Sequence, residues 1–235
     1  ENRKFIKFSI PILLLGFFVF NTPSVFAYGV ETHAFLTKTV TEFYNQHSPK
    51  IKISNELASY LIDGSRLEDN APRYMHHFYD PVNNRGLASG IYKGIASKIW
   101  WQDQKAQTAL LYKIFPQTEA SLLTAVQLQK IQPIFNKTDF TWEKAIELYA
   151  QDEKEQAMFA LGHVLHLIED ASVPEHTRND PHPPYDDGGS PYENWTSKFD
   201  LNNPDSDLIN NRLRSKRPIS LDNLNSYFDG IANYS

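Results

Sequence analysis

The sequence predicts an all-α protein, a single-domain multi-helix bundle, on three observations. Apolar residues recur at helical spacing, most clearly at Phe159, Leu161, Val164, Leu165, Leu167 and Ile168, and Pro174 then ends the pattern. No stretch alternates apolar and polar residues for long enough to make a sheet. Beyond a leader-like start, about 200 residues remain, enough for one sizeable core without disulfides. The chain has no cysteine with which to form them.

Residues 1–27 read as a secretory signal peptide that is not part of the fold. Arg3, Lys4 and Lys7 make a positive opening, and 10–20 is an apolar run short of the roughly 20 residues a spanning helix needs. Val25-Phe26-Ala27 suits cleavage. Glu1 in place of methionine suggests a fragment, and 28–235 is expected to form the helical domain.

The first helix is expected over 30–44, with Ala34, Phe35, Val40 and Phe43 on one stripe and His47-Ser48-Pro49 as its stop. Ser54 caps a short helix that runs through Leu61. After a turn at 83–86, residues 91–113 read as one long helix with Ile95, Ile99, Trp100, Ala106 and Leu110 inward. Further helices are expected at 119–130 and from 142 through 170. Between 177 and 204 the composition shifts to Asp, Asn, Gly and Pro, which predicts a long surface loop. Leu221, Leu224, Tyr227, Phe228 and Ile231 begin a last amphipathic helix that reaches Ser235 without a cap, so the chain is expected to continue.

Without residues 1–27, which hold three basic residues and one acidic, 20 Lys+Arg face 27 Asp+Glu, a formal charge of −7. That balance argues against a protein held to nucleic acid by a basic face.

The helix that ends before His176 carries the chemistry. His166 and Asp170 stand four apart, so both side chains leave one face and can grip one cation; an imidazole and a carboxylate suit zinc. An isolated pair of this kind is more often a hydrogen bond than a metal site. Here His176 and Asn179 follow closely and Pro174 sets the exit. The string His166-Leu-Ile-Glu-Asp170-Ala-Ser-Val-Pro174-Glu-His176-Thr-Arg-Asn179 resembles the central motif of bacterial zinc-dependent phospholipase C. It departs at Glu169, where that family usually has glycine.

Three further strings extend the resemblance. Asp63 precedes His77 by fourteen residues, the family's own separation, and His77 opens His-Phe-Tyr-Asp-Pro81. Tyr28-Gly-Val-Glu-Thr-His33 matches the start of these enzymes and of the related zinc-dependent single-strand nucleases, where a terminal tryptophan binds zinc through its amine and carbonyl. Its five-residue separation is the nuclease-like one. Glu193 matches a later glutamate ligand, but Gly189 stands where the family has histidine. His182 is the candidate replacement, with Asp186 or Asp187 as alternatives.

The resemblance implies a fold of the phospholipase C/nuclease type and up to three zinc ions. Asp63, His77, His166 and Asp170 would hold the first. Tyr28, His33 and a shared Asp170 would hold another, and His176, Glu193 and His182 the remaining one. It implies a secreted phosphodiester hydrolase acting on phospholipid, with transient membrane-surface contact and with Asp63 orienting or deprotonating the attacking water. A single-strand nuclease, or a non-catalytic zinc-stabilised binding module suggested by Gly189, are the alternatives. His163 reads as core or as support for a ligand, His76 as its buried or exposed neighbour. Glu68 and Asp69 either tune the metals or face water.

Overall fold

The computed structural model describes residues 29–48, 50–69, 73–89, 92–114, 139–181, 190–202 and 206–235. The expected signal peptide, Tyr28, the helix at 119–130, His182 and Gly189 lie outside the described residues.

The described chain is mostly helical. In order, it forms α1 (Val30–His47), α2 (Asn55–Leu67), a 3-10 turn (Arg73–His76), β1 (Ala88–Ser89) and β2 (Tyr92–Lys93). Then follow α3 (Ser97–Trp100), α4 (Gln104–Ile114), α5 (Trp142–Ala150) and α6 (Lys154–Asp170). Last come α7 (Pro174–Thr177), α8 (Pro191–Thr196), α9 (Ser206–Leu213) and α10 (Leu224–Tyr234). No helix among the described residues is long and apolar enough to cross a membrane.

The organising element is α6, which packs against α2, α5, α1 and α10. It is buried on nearly every side, so its apolar pattern is wider than that of a surface helix. Val164, Leu167 and the following Ala171 meet Tyr79, Trp100, Trp101, Phe228 and Ala232 in the main core. Ala157 and Ala160 pack on Ala145 and Leu148 of α5. The opposite side of α6 carries Gly162, His163, His166 and Asp170, and there it meets α2.

Local chemistry explains several element boundaries. The Ser54 hydroxyl accepts from Leu57 N at the start of α2, and the Asn223 side chain accepts from Ser226 N at the start of α10. Helix α2 runs past Leu61 to Leu67, because its inner face continues through Gly64, Ser65 and on to Glu68 and Asp69. Val40, expected inward on α1, is 48% exposed; the buried positions of that helix are Thr32, His33, Ala34, Phe35, Thr37, Thr39 and Thr41.

Two expected helices are corrected. The segment 91–113 is not one helix: Tyr92–Lys93 pairs antiparallel with Ala88–Ser89, then α3 and α4 follow separately. A Cβ on Gly94 would lie 1.6 Å from Met75 O, so the chain crosses the 3-10 turn there at a distance only glycine permits. The segment 142–170 is two helices, because Asp152 adopts a left-handed backbone (φ 64°) that no α-helix continues through. Within the expected loop at 177–204, Pro191–Thr196 forms α8, capped by the Ser190 hydroxyl accepting from Glu193 N.

Candidate metal centre

Helix α6 ends at Asp170, and Val173-Pro174 starts a new single turn, α7, with proline at its first position, where a missing N–H costs nothing. This turn delivers His176. The string 77–81 runs alongside it: Tyr79 N donates to His176 O at 3.2 Å, and the Phe78 ring stacks on the His176 imidazole with centroids 4.2 Å apart. Asn179, in a left-handed conformation (φ 62°), clasps the neighbouring loop. Its Oδ1 accepts from Ala88 N and its Nδ2 donates to Gly86 O.

Four side chains converge on one point. His77 Nδ1, His166 Nε2 and Asp170 Oδ2 form a triangle with sides of 3.0, 3.2 and 3.2 Å. Neighbouring ligand atoms on a tetrahedral zinc, each about 2.0–2.1 Å from the ion, are about 3.3 Å apart. Asp69 Oδ1 is a fourth donor, 3.6 Å from each of the two ring nitrogens. All four side chains are buried.

Hydrogen bonding does not account for this arrangement. Ser65 O accepts from His166 Nδ1 at 2.7 Å, so in the neutral ring Nε2 carries a lone pair into the cluster. Neither carboxylate oxygen of Asp69 or of Asp170 has a hydrogen-bond partner among the described residues. Buried acceptors left in this state cost about 1–3 kcal/mol each, and more when charged. A cation among them removes that cost. The buried His and Asp groups of this cluster can hold a metal ion.

Asp170 links this point to a second. While its Oδ2 faces His77 and His166, its Oδ1 lies 3.3 Å from His33 Nε2 on α1. A carboxylate whose two oxygens address separate sets of imidazoles has the geometry of a bridging ligand. Further out, His176 Nε2 stands 3.9 Å from Glu193 Oε1, so α7 and α8 place a third imidazole and carboxylate together.

With protons as the only cations, these charges shift one another strongly. Burial opposes the charged form of Asp170, but the imidazoles of His166, His176 and His77 hold its carboxyl well below the usual range. Burial pushes Asp69 up. Burial likewise works against a charged His33, yet the carboxylates of Asp170 and Glu169 on either side of the ring raise it to about 10.

Behind these donors lies a buried ionic network. Glu68 accepts from Arg73 Nε at 2.5 Å, from His163 Nδ1 at 2.6 Å and from Trp100 Nε1 at 2.9 Å, and its Oε1 faces His77 Nε2 at 3.9 Å. Burial opposes its charge, but Arg73 above all keeps Glu68 ionised. The His163 ring stacks on Phe140 with centroids 4.0 Å apart, and burial lowers its pKa to about 4. His76 is buried too, stacked on Trp100 and accepting from Ile95 N.

One expected ligand is not brought to the centre. Asp63 is 57% exposed and pairs with Arg66 on the outer face of α2. The reason is helical phase: Leu61, Gly64, Ser65, Glu68 and Asp69, spaced i, i+3, i+4, i+7, i+8, form the inner face, and 63 falls off it. Asp69 stands in the place expected of Asp63, and the spacing of that stripe was the sequence signal for it. Asp63→Asn is therefore expected to leave metal affinity within about twofold, as a surface change does. Asp69→Asn should weaken it by at least the roughly 10–100-fold that loss of a supporting contact costs. Metal titration of the two variants side by side checks this, and the reverse order would restore Asp63 as the ligand.

Comparison of the chain with protein-family models, with curated proteins and with solved structures finds no match in any of the three.

Proposed function

We propose that this cluster is a zinc centre and that the chain is a phosphodiester hydrolase of the zinc-dependent phospholipase C type, releasing diacylglycerol and a phosphorylated head group. The observation that carries the reading is Asp170, whose two oxygens address His33 on one side and His77 with His166 on the other. Mixed imidazole and carboxylate donors suit zinc. Clustered zinc ions supply Lewis-acid chemistry, polarising phosphoryl oxygens and making water acidic enough to attack near neutral pH.

The chain's own residues do the rest. Ser65 O and Glu169 hold the imidazoles of His166 and His33 in one tautomer. The proton-accepting role expected of Asp63 passes to Asp69, which is buried beside His77 and His166 and has no hydrogen bond of its own among the described residues. His176 and Glu193 add a third donor pair. The positive opening and short apolar run of residues 1–27 support export from the cytoplasm, and with it action at a membrane surface.

A single-strand nuclease is the second reading, favoured by the five-residue separation of Tyr28 and His33. Zinc-loaded protein offered choline phospholipid and single-stranded DNA decides between them. Diacylglycerol as product is the expected result. Nucleoside monophosphates would replace the lipid reading with the nuclease, and turnover of neither would leave a zinc-stabilised binding module.

A further inference from the structure

We infer that Glu169 is a positioning residue for His33, accepting the hydrogen bond that Nδ1–H donates so that Nε2 is presented as a lone-pair donor toward Asp170. The inference rests on the metal reading above. Glu169 and Asp170 are consecutive on α6, so their side chains leave the helix about 100° apart and reach the His33 ring from two directions. Glu169 Oε2 lies 2.7 Å from Nδ1 and Asp170 Oδ1 lies 3.3 Å from Nε2. The face of the ring stacks on His166, with centroids 3.6 Å apart and planes 19° from parallel.

Glu169 is itself held. Its second oxygen, Oε1, accepts from Thr37 Oγ1 at 2.9 Å, and Thr37 stands one turn after His33 on α1. Both oxygens of Glu169 are thus engaged by the helix whose histidine it orients, and its side chain is only 10% exposed. A carboxylate oxygen accepts, so in the 2.7 Å contact Nδ1 is the donor. In the neutral imidazole that leaves the Nε2 lone pair facing a carboxylate oxygen. Two acceptors face to face are unfavourable until a cation lies between them. A histidine ligand whose far nitrogen is bonded to a carboxylate is also a stronger donor than a free one.

The test uses the chain from Tyr28 onward, loaded with zinc and titrated against a chelator of known affinity, together with proton NMR of the histidine ring N–H groups. Glu169→Ala is expected to weaken one ion by about 10–100-fold while the ion of Asp69, His77 and His166 keeps its affinity. The Nδ1–H proton of His33, hydrogen-bonded to Glu169 in the wild-type protein, should then move upfield and exchange faster with solvent. Glu169→Gln, whose amide oxygen can still accept from Nδ1 while its NH2 donates to Thr37 Oγ1, should keep the Nδ1–H hydrogen bond and lose less than about tenfold. Thr37→Val, which removes only the tether on Oε1, should weaken the same ion by a smaller factor and serves if the alanine variant does not fold. Glu169→Ala with wild-type affinity for every ion, or with the His33 Nδ1–H signal unmoved, would overturn the role of Glu169 and leave the zinc reading standing. Wild-type protein that takes up no zinc at all would overturn the zinc reading and this inference with it.

Discussion

Asp170→Asn is expected to lose more metal than any other single substitution in the chain. Its carboxylate is the one group that faces both sets of imidazoles, through Oδ2 at 3.0 and 3.2 Å and through Oδ1 at 3.3 Å. The amide that replaces it is neutral, and one of its two polar atoms becomes an NH2 with no lone pair to offer. Whichever way the amide turns, an ion held beside His33 or one held beside His77 and His166 would meet an NH2 where it needs a lone pair. Affinity should fall by at least about 100-fold at one ion and by a comparable factor at the next, as for a lost ligand rather than a lost supporting contact. Metal analysis after dialysis reads the loss directly. Thermal unfolding gives an independent signal, because an ion at 1,000 times its dissociation constant stabilises the native state by about 4 kcal/mol. A chelator should therefore lower the Tm of the wild-type protein and leave the Tm of Asp170→Asn unchanged. A variant that kept its full zinc content would sink the assignment of Asp170.

Which parts of this site were legible in the sequence depended on how far apart the partners lie along the chain. His166 and Asp170 share one helix, so their spacing alone predicts a common face, and in the structure both donors enter one cluster. The choice between Asp63 and Asp69 needed the phase of α2, and a match of separation to His77 pointed to Asp63, which lies on the outer face. The inner stripe from Leu61 to Asp69 held the answer, since a helix cannot bury 63 and 69 on the same narrow face. Glu169 was visible only as a departure from the resemblance, because its partners His33 and Thr37 lie 136 and 132 residues earlier in the chain. The long helix expected at 91–113 failed for a different reason. Its apolar spacing was real, but Gly94 is drawn against Met75 O and Ser97 N donates to Phe78 O, tertiary contacts that local periodicity does not encode.

Gly162→Ala is expected to unfold the junction on which the whole centre depends. A Cβ built on Gly162 would stand 2.2 Å from Leu61 O, 2.8 Å from Ser65 N and 3.0 Å from Gly64 Cα, all of them backbone atoms of α2. Gly64 is its counterpart, with Phe159 O 2.0 Å from the position its Cβ would take. The two helices touch backbone to backbone, and no flexible side chain is there to yield. Relieving the contact requires them to part by about 1 Å, and overpacking of this kind costs about 1–3 kcal/mol or more. The gain in helix propensity from alanine, about 1 kcal/mol, is too small to offset it. The same separation carries Ser65 O away from His166 Nδ1 and Asp69 Oδ1 away from His77 and His166, so metal affinity should fall along with stability. Gly230→Ala is the matched control, since nothing lies within 4 Å of its Cβ position on the exposed side of α10. There the propensity gain acts alone, and stability should rise by about 0.5–1 kcal/mol. Denaturant unfolding and zinc titration of the two variants should move in opposite directions for stability, with only Gly162→Ala losing metal. A Gly162→Ala protein with wild-type stability and full zinc content would mean that α2 and α6 do not meet at this contact, and that Asp69 reaches the cluster by some other route.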